Sequence, residues 1–524
     1  MLRSIPLVSS LGNPTTVSTL GSGDTIEALN DSPERLRNLY PVRSKMGASP
    51  GVSLLTTPGL EQRFSNVAAA GQRIIALLET AAQTDFYYVA THDANSGGQV
   101  DLVDGGGTPE TITTAFRPFK AVSDGVSIVV ACTAGTTGPG GLLLHTGGVL
   151  STITTTVIPR DICYIDGYVI VVEEGTDKWH ILGPDDFSVL GGLDNSYADS
   201  SYDELIACAS NGRELFLLGS KTIEVWHNTG NAVFPFERAQ GGVISKGCYS
   251  PATVQVIDGK LVWVGDDHAV YMLDGYTPRR ISTRGIDAQI LRGVVPRIYN
   301  FASAGSRSGI ITYEDGHLCY ILALEDSSPS RSLVYDVVTD VWHEVDHREV
   351  HGGWAKSTDF AGVNSAWYTA GGGRSVYRVY ALYFKYDTDA GAPANYIDRE
   401  AILPALNAGG HRAVMKRVVV DIRLGTCSDE AKSVLSLYFS DDFFSSYIAS
   451  DALQTWALAA SRSLGATTAP GGPEANRYAN RQFDVRRLGT FRQRWLKILA
   501  TGDATSFAAQ FAIDGVYVDI EGRL

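Results

Sequence analysis

A short polar turn followed by an apolar strand recurs along the middle of this chain, and this repeat restricts the fold more than any other feature. Successive copies start about 40 to 55 residues apart, which is the period of a β-propeller blade. Asp-Gly and Asn-Gly pairs favour tight turns because both residues tolerate a positive φ. Besides weaker copies near residues 70 and 360, the repeats are Ser123-Asp124-Gly125 before VSIVVA, Ile165-Asp166-Gly167 before YVIVVE, Asn211-Gly212-Arg213 before ELFLLG, Ile257-Asp258-Gly259 before KLVWVG and Glu314-Asp315-Gly316 before HLCYILA.

Six or seven copies at a steady period predict an all-β fold, a β-propeller of six or seven blades over residues 61–388. The composition agrees, because 55 glycines and only 4 methionines favour strands and tight turns over helices. Apolar and polar residues alternate from Lys221 to Trp226, which is typical of a half-buried strand. A set of unrelated hairpins in a sandwich is the alternative interpretation.

The two ends of the chain lie outside the repeat. Residues 1–60 are rich in Pro, Ser, Gly and Thr, and we expect an extended N-terminal arm that docks on a neighbour or on its own propeller. A flexible tail is the alternative. Residues 389–524 begin with a linker candidate at Gly391–Ala394, and we expect them to form a C-terminal β domain resembling a sandwich. Its predicted strands are Val414–Ile422, Ser433–Phe439, Phe483–Val485, Trp495–Ala500 and Gly515–Ile520.

The charge of the chain is acidic, with a net charge of −14 and a pI near 5.2. Proteins that grip a nucleic-acid backbone usually have the opposite balance, because Lys and Arg replace the counterions condensed on the phosphates. An acidic wall can still surround DNA, since repulsion of the phosphates would let the duplex slide. The charge therefore argues against tight DNA binding but not against a DNA channel.

The cysteines and the apolar runs bear on where the protein is made. Six cysteines at irregular spacings, with no CxxC pair, are typical of buried free thiols made in a reducing cytoplasm. The segment Met1–Val8 is short and contains Pro6, so it is not typical of a signal peptide. No apolar run approaches the roughly 20 residues that a membrane-spanning helix requires. We therefore expect no membrane insertion.

Two patterns suggest catalysis, and both have structural explanations. His343-Glu344-Val345-Asp346-His347 matches the HExxH zinc motif, which requires a helix to bring both histidines to one metal. The surrounding residues predict strand, turn, strand, which would place the histidines roughly 13 Å apart. The pairs Asp266-Asp267 and Asp441-Asp442 could serve a propeller glycan hydrolase, but adjacent carboxylates on a strand face opposite ways. The sequence therefore predicts no catalytic, cofactor or metal site.

The densest basic segment runs from Arg486 to Arg494 in the C-terminal domain. Its arginines could contact DNA phosphates. Alternatively they pair with the surplus carboxylates, within the chain or across a subunit boundary. The acidic balance of the chain favours the second interpretation. The residues predicted to make such an interface or DNA contact are Arg486, Arg487, Arg492 and Arg494.

A group of motifs between residues 165 and 283, which includes Glu224-Val225-Trp226, resembles a known family. The candidate motif residues are Trp226, then Phe234, Pro235, Phe236, Glu237 and Arg238, then Lys246, Gly247 and Cys248, then Tyr276, Pro278 and Arg279. Weaker matches are Asn38-Leu39-Tyr40-Pro41 and Thr57-Pro58-Gly59-Leu60. Together they resemble the packaged-DNA stabilisation protein, or tail hub or nozzle, of short-tailed double-stranded DNA bacteriophages. The resemblance covers about a quarter of the chain and is weakest in the C-terminal third.

This resemblance implies a structural virion protein and not an enzyme. It implies a homo-oligomeric ring, commonly a hexamer, below the portal and its adaptor protein. Such a ring extends the DNA channel, retains the packaged genome and mounts a tail needle, fibres or spikes. Double-stranded DNA would pass through the lumen without sequence-specific binding, and the protein would be made in the host cytoplasm and reside in the virion tail. The alternatives are a generic β-propeller interaction module and, less favoured, a propeller glycan hydrolase.

Overall fold

The computed structural model describes the chain in separate stretches. The described residues are 3–5, 7, 35–44, 51–57, 59–64, 72–79, 86–92, 99–103, 110–113, 117–133, 140–146, 149–184, 186–192, 194–231, 234–293, 308–313, 316–324, 331–345, 354–358, 364–370, 375–380, 385–386, 395–396, 398–408, 411–424, 434–441, 456–463, 479–501 and 511–521. Strands dominate these stretches, which also contain the α-helix Arg284–Gly293 and the 3-10 helix Pro251–Thr253. No helix among them is long and apolar enough to cross a membrane.

Tight turns join the strands where the Asp-Gly pairs predict them. Asp166 and Gly167 have φ values of 48° and 84°, and Asp258 and Gly259 have φ values of 49° and 69°. Positive φ at both central residues matches the right-handed twist of the two flanking strands. These two pairs therefore set the register of the hairpins that they close, as in the pairings of Ile165 with Tyr168 and of Ile257 with Lys260.

The described residues form seven four-stranded antiparallel units, here called blades 1 to 7. Blade 1 contains Gln72–Glu79, Phe86–His92, Gln99–Val103 and Glu110–Thr113; blade 2 contains Arg117–Ser123, Ile128–Thr133, Gly140–Thr146 and Val149–Ile153. Blade 3 contains Pro159–Ile165, Tyr168–Glu173, Lys178–Leu182 and Asn195–Tyr197; blade 4 contains Leu205–Asn211, Glu214–Gly219, Ile223–Asn228 and Phe236–Ile244. Blade 5 contains Gln255–Ile257, Lys260–Val264, Val270–Asp274 and Thr277–Arg280; blade 6 contains Ser308–Thr312, Leu318–Leu324, Arg331–Asp336 and Val341–Val345. Blade 7 contains Trp354–Thr358, Asn364–Ala370, Ser375–Tyr380 and the N-terminal strand Gly59–Phe64.

The blades close into a ring, which confirms the predicted β-propeller and gives it seven blades. From blade 1 to blade 6, the first strand of each blade lies against that of the next. Ser308–Thr312 of blade 6 lies against Asn364–Ala370 of blade 7, and Trp354–Thr358 of blade 7 lies against Gln72–Glu79 of blade 1. The strand Gly59–Phe64 completes blade 7 by pairing with Ser375–Tyr380, so residues from both ends of the repeat share one blade. The predicted start of the propeller at residue 61 falls inside this strand.

The cores of the propeller lie between neighbouring blades. Separate clusters of buried side chains fill the spaces from blade 2 through blade 6, and Ile286 and Ile290 of the helix join the cluster between blades 5 and 6. Five of the six cysteines are free thiols and buried, as predicted, and Cys427 lies outside the described residues. Burial of these apolar faces, at roughly 25 cal/mol per Å², is the main stabilising term for such a ring.

Strands from residues 399–521, where we expected a sandwich-like domain, form two sheets together with strands from residues 3–56. The first sheet contains Arg3–Ile5, Leu39–Ser44, Gly51–Thr56, Ala413–Leu424, Ala479–Phe491 and Phe511–Glu521. The second sheet contains Arg35–Arg37, Arg399–Ile402, Gln493–Thr501, Val434–Ser440 and Ala457–Ser463, with Leu406–Asn407 beside Gln493–Thr501. Val418 of the first sheet and Leu437 of the second are fully buried in one shared core. In the sequence, a hairpin of two short strands, Lys385–Tyr386 and Asn395–Tyr396, lies between the last blade and the C-terminal strands of these sheets.

Within residues 1–60, where we expected an extended arm that docks on a neighbour or on its own propeller, the described residues include short strands of the two sheets and of blade 7. Arg35–Arg37 pairs with the last strand of blade 6 on one side and with Arg399–Ile402 on the other, so one continuous sheet of ten strands joins blade 6 to the sandwich. Leu39–Ser44 and Gly51–Thr56 belong to the first sheet. These short strands form because distant strands offer them hydrogen-bonding edges.

A buried asparagine holds this junction together. Asn38 is fully buried with φ of 56°, and its N–H donates to the carbonyl of Glu344 in blade 6 at 2.8 Å. Its side-chain Nδ2 donates to the carbonyl of Asp398 at 2.6 Å, and its own carbonyl accepts from the N–H of Thr57 at 3.1 Å. One residue therefore ties blade 6, the second sheet and the segment that leads to blade 7.

Candidate functional site

The predicted motif residues lie where blades meet, and an aromatic cluster joins blades 3 and 4. The Trp179 ring of blade 3 is fully buried and meets the rings of Trp226, Phe234 and Phe236 edge-on, at centroid distances of 5.2, 5.4 and 5.8 Å. Each edge-to-face pair adds about 0.5 to 1.5 kcal/mol beyond its burial. The motif predicted three of these residues, but not Trp179, because its partners lie about 50 residues further along the chain.

A buried carboxylate organises the polar side of the same boundary. Glu224 is 2% exposed and accepts hydrogen bonds from the N–H of Ser200 at 2.7 Å and from Trp226 Nε1 at 2.9 Å. Arg238 Nη1 lies 3.5 Å from Glu224 and 3.0 Å from Asp199. A charged side chain inside an apolar strand was the sequence signal for this network. Glu224 therefore holds both the Trp226 indole and the Arg238 guanidinium in place.

The remaining residues of that motif have simpler positions. The carbonyl of Pro235 accepts the N–H of Thr229 at 2.7 Å and closes the turn before the outer strand of blade 4. Glu237 is exposed on that outer strand, and among the described residues its carboxylate has no ion pair. Pro278 lies opposite Leu273 in the last strand pair of blade 5.

Lys246 neutralises two adjacent carboxylates at the boundary of blades 4 and 5. Its Nζ lies 3.1 Å from Asp266 and 2.9 Å from Asp267, and 4.6 Å from the centre of the Tyr271 ring. Burial alone would lower the pKa of Lys246, but the hydrogen bonds to Asp267 and Asp266 outweigh it and raise the pKa. The pair weighed for a glycan hydrolase is therefore engaged in a structural ion pair.

Two backbone segments pass very close to each other at Gly247. A Cβ on Gly247 would lie 2.1 Å from the carbonyl oxygen of Ser220, so only glycine fits without backbone movement. Its carbonyl accepts the indole N–H of Trp263 at 3.1 Å, and the N–H of Cys248 donates to the carbonyl of Gly219 at 2.9 Å. Burial raises the pKa of the Cys248 thiol. This segment is thus a backbone clasp between blades 4 and 5.

Two further motif residues connect blade 5 to both neighbours. The hydroxyl of Tyr276 donates to Glu214 of blade 4. Arg279 reaches blade 6, with Nη1 at 3.1 Å from Asp340 and Nη2 at 3.2 Å from the Tyr335 hydroxyl. The motif residues therefore act as ties between blades 3, 4, 5 and 6.

A similar tie, not predicted from the sequence, joins the first strands of blades 2, 3 and 4. Lys120 Nζ lies 2.6 Å from Asp161 Oδ1, and Asp161 is fully buried. The other oxygen of Asp161 accepts the N–H of Cys208 at 2.9 Å. Single charges inside the apolar strands around Lys120 and Asp161 were the available signal, but pairing across blades cannot be read from spacing.

The predicted arginine cluster divides between the interior and the surface. Arg494 is 1% exposed. Its Nε donates to Asp441 Oδ1 at 2.6 Å and its Nη2 donates to Asp441 Oδ2 at 2.6 Å. Nη1 donates to the carbonyl of Leu488 at 2.7 Å, and the rings of Phe439 and Phe491 lie 4.5 and 4.8 Å from the guanidinium carbon. Arg494 therefore stabilises the interior of the sandwich. Its partner Asp441 is one of the two carboxylates considered above for catalysis. The other, Asp442, lies outside the described residues.

The other three arginines are exposed. Arg486 is 69% exposed and lies 3.3 Å from Asp484, which makes a shorter, two-point pair with Arg417 at 2.9 and 2.8 Å. Arg487 and Arg492 are exposed and make no ion pair with the residues that the structure describes. The predicted interface or DNA contact therefore rests on Arg486, Arg487 and Arg492.

The first three HExxH residues, His343 to Val345, lie on a strand, as their surroundings predicted. His343 belongs to Val341–Val345 and is 2% exposed, with Nε2 at 2.8 Å from the Tyr313 hydroxyl. Burial lowers the pKa of His343 to about 4. His347 lies outside the described residues. No group of three His, Cys, Asp or Glu residues in the described part of the chain could hold a metal ion.

Fold and contacts together define a class of protein: a closed seven-bladed β-propeller joined to a β-sandwich by a shared sheet. A family model described as Bacteriophage P22 Gp10, β-propeller, matches residues 25–347, which is more than half of the chain. The chain therefore belongs to this family of structural phage proteins that stabilise packaged DNA. The match ends within the propeller and does not include the C-terminal part of the sandwich.

Comparison with solved structures gives only distant likenesses. The AfRom2 CNH domain is 9% identical with a TM-score of 0.35, and the alignment covers 62% of this chain and 99% of that domain. PorZ, an essential bacterial surface component of the type-IX secretion system of Porphyromonas gingivalis, is 10% identical with a TM-score of 0.33. That alignment covers 68% of this chain and 44% of PorZ. No curated protein sequence matches the chain.

Proposed function

We propose that this chain is the tail hub, or nozzle, of a short-tailed phage: a ring subunit below the portal and its adaptor protein. The observation that carries the proposal is membership of the phage DNA-stabilisation family over residues 25–347. In this role the ring extends the DNA channel, retains the packaged genome and mounts a needle, fibres or spikes. The protein is then a component of the virion tail, made in the host cytoplasm.

The stiffness of the propeller supports this role. A wall that contains DNA under pressure must resist deformation, and a closed propeller leaves few exposed sheet edges. The ties at Glu224, Lys246, Gly247 and Arg279 each join neighbouring blades by ion pairs, hydrogen bonds or close packing. The sheet shared by blade 6 and the sandwich adds a hydrogen-bonded link between the two parts. Subunits built in this way would move as rigid bodies.

The charge of the chain suits contact with moving DNA. A net charge of −14 repels phosphates, so a lumen formed by such subunits would let the duplex slide without sequence-specific binding. A ring requires a heterologous contact, in which two different surfaces of the subunit meet and the rotation closes. We propose a hexamer, on the pattern of the family that the sequence resembles.

Electron microscopy of the purified chain, with its mass in solution measured alongside, tests the proposal. We expect a ring with a central opening of roughly 20 Å or more, which is wide enough for a DNA duplex to pass. The same measurement is repeated with the portal–adaptor complex, because a hub can require its adaptor to assemble. A chain that stays monomeric in both conditions would exclude the hub and leave the propeller as an interaction module.

A further inference from the structure

In the described part of the chain, both sheets of the sandwich end on the same side. Ala479–Phe491, a strand of 13 residues, pairs along one edge with Ala413–Leu424. Ala457–Ser463 likewise pairs with Val434–Ser440 along one edge. In the part of the chain that the structure describes, no strand pairs with the other edge of either one. Arg462 Nη1 donates to the carbonyl of Gln482 at 3.5 Å, so the two open edges are neighbours.

Exposed positive charge is concentrated on and beside this open side. Arg462, Arg486, Arg487 and Arg492 are all exposed, and the carboxylate of Asp484 is already shared by two arginines. The chain as a whole has 57 acidic and 43 basic side chains. A group of exposed arginines in so acidic a protein matches the carboxylates of another copy better than any neutral surface.

The backbone at the centre of the edge has an uncommon conformation. Arg487 has φ of 65°, in the left-handed region that non-glycine residues rarely adopt, and Gly489 has φ of 78°. The pairing with Ala413–Leu424 shifts register here, because Met415 pairs with Gly489 while Arg417 pairs with Arg486. Bulges of this kind re-aim side chains at sheet edges. Strain that the fold maintains points to a role for the displaced residue.

We propose that this edge, here called the arginine edge and comprising Ala479–Phe491 with Arg486, Arg487 and Arg492, docks against a carboxylate-bearing surface of a second copy of the chain. The inference rests on the proposed ring, and it names one of the two surfaces that a heterologous contact requires. Arginine binds carboxylates through two parallel N–H···O bonds, and Arg417 with Asp484 already shows that geometry beside the edge.

A protein partner fits the arginine edge better than DNA does. An open strand edge offers alternating backbone N–H and C=O groups that another strand can pair with, whereas DNA phosphates accept only from the N–H groups. Proteins that bind the DNA backbone generally make several phosphate contacts together. The arginine edge has three exposed arginines in a chain of net charge −14, which disfavours such binding. The fourth arginine of the cluster, Arg494, is bound to Asp441 inside the sandwich.

The test compares charge reversal on the edge with a matched reversal elsewhere. The R487E/R492E variant of the full chain is compared with R487K/R492K, which keeps the charge, and with R213E/K221E, which changes two exposed basic residues of blade 4 equally. Thermal unfolding confirms that all variants fold. Ring mass is measured against protein concentration, and binding of a 20-base-pair duplex is measured by fluorescence anisotropy at two salt concentrations.

We expect R487E/R492E to raise the subunit concentration needed for rings by at least about tenfold, while the other variants assemble like the wild type. Rings that form equally well in all variants would overturn the arginine edge and leave the proposed hub intact. Wild-type protein that forms no ring, even with the adaptor, would overturn the hub and the edge with it. Duplex binding that is lost in R487E/R492E, with assembly unchanged, would assign the edge to DNA instead.

Discussion

Gly247 shows how tightly single residues are constrained between blades 4 and 5. A Cβ there would lie 2.1 Å from one backbone atom of Ser220 and 2.5 Å from another, and backbone cannot rotate away as a side chain can. We expect Gly247→Ala to lower the free energy of unfolding by about 2 to 3 kcal/mol, as overpacking does elsewhere. Gly192→Ala is the control, because a Cβ at Gly192 would meet nothing within 4 Å. Urea denaturation measures both, and equal midpoints would contradict the clasp.

Glu224 is the residue whose charge matters most for the aromatic boundary of blades 3 and 4. It accepts two hydrogen bonds and lies beside Arg238 while 2% exposed. Replacing it by Gln keeps the shape but leaves the guanidinium without its buried counter-charge, so we expect a loss of about 1 to 3 kcal/mol in unfolding free energy. Glu237→Gln, an exposed position in the same motif, should change it by less than about 0.5 kcal/mol. Urea denaturation of both variants measures the difference.

His343 makes stability depend on pH. Its pKa is lowered by burial to about 4 in the folded protein, against about 6.5 for an unfolded chain. Above pH 6.5 the histidine is neutral in both states, so nothing is lost. As the pH falls from 6.5 towards 4, the unfolded chain binds a proton that the folded protein refuses, and stability declines by up to roughly 3 kcal/mol.

Denaturation at several pH values checks this expectation. His343→Asn removes the titrating group, so we expect its unfolding free energy to change less between pH 7 and pH 5 than that of the wild type. The groups nearest to His343 are Tyr313, whose hydroxyl bonds Nε2, and the His317–Asp336 pair. Identical pH slopes in wild type and variant would show that these neighbours, and not His343, set the dependence.

Among the elements, the hairpins of blades 2 to 6 were predictable because their signals are local. An Asp-Gly turn between two apolar strands encodes the hairpin within about fifteen residues, and the twist of the strands selects the turn. The main predicted strands of the C-terminal domain, such as Val414–Ile422, likewise fall inside observed strands such as Ala413–Leu424. Apolar alternation and turn chemistry are sufficient for these elements.

The N-terminal strands were not predictable by the same reasoning. Arg3–Ile5 pairs with residues 516–518, and Arg35–Arg37 pairs with residues 400–402, so each partner lies hundreds of residues away. Short strands without an apolar period carry no signal of their own, and composition alone suggested an arm. Contacts such as Trp179 with Trp226 were missed for the same reason, since each joins two blades.

Asn38 allows the junction between blade 6 and the sandwich to be tested. Alanine would lose the bond to the carbonyl of Asp398 and would also resist the φ of 56°, whereas glycine would lose only the bond. We expect Asn38→Ala to lower the unfolding free energy by about 2 to 3 kcal/mol and Asn38→Gly by about 1 kcal/mol less. Urea denaturation compares the two variants. If they were equally stable, the left-handed backbone would contribute nothing to the junction.

The whole molecule combines a closed propeller with an acidic composition. Seven blades close through the N-terminal strand Gly59–Phe64, and a ten-stranded sheet extends blade 6 into the sandwich. The chain belongs to a family of phage proteins that stabilise packaged DNA, and its net charge of −14 suits a wall along which DNA moves. In the proposed function, retention of the genome depends on the stiffness and the assembly of these subunits, without sequence recognition.

Genome retention is the measurement that tests the proposed function most directly. Phage particles are assembled without this chain, either with or without purified wild-type protein added during packaging. Both kinds of particle are then treated with nuclease, and the protected DNA per particle is measured. We expect particles without the chain to lose most of their DNA, wild-type protein to restore retention, and the R487E/R492E variant to restore it poorly. Particles that keep their DNA equally well with and without the chain would contradict a role in holding the genome.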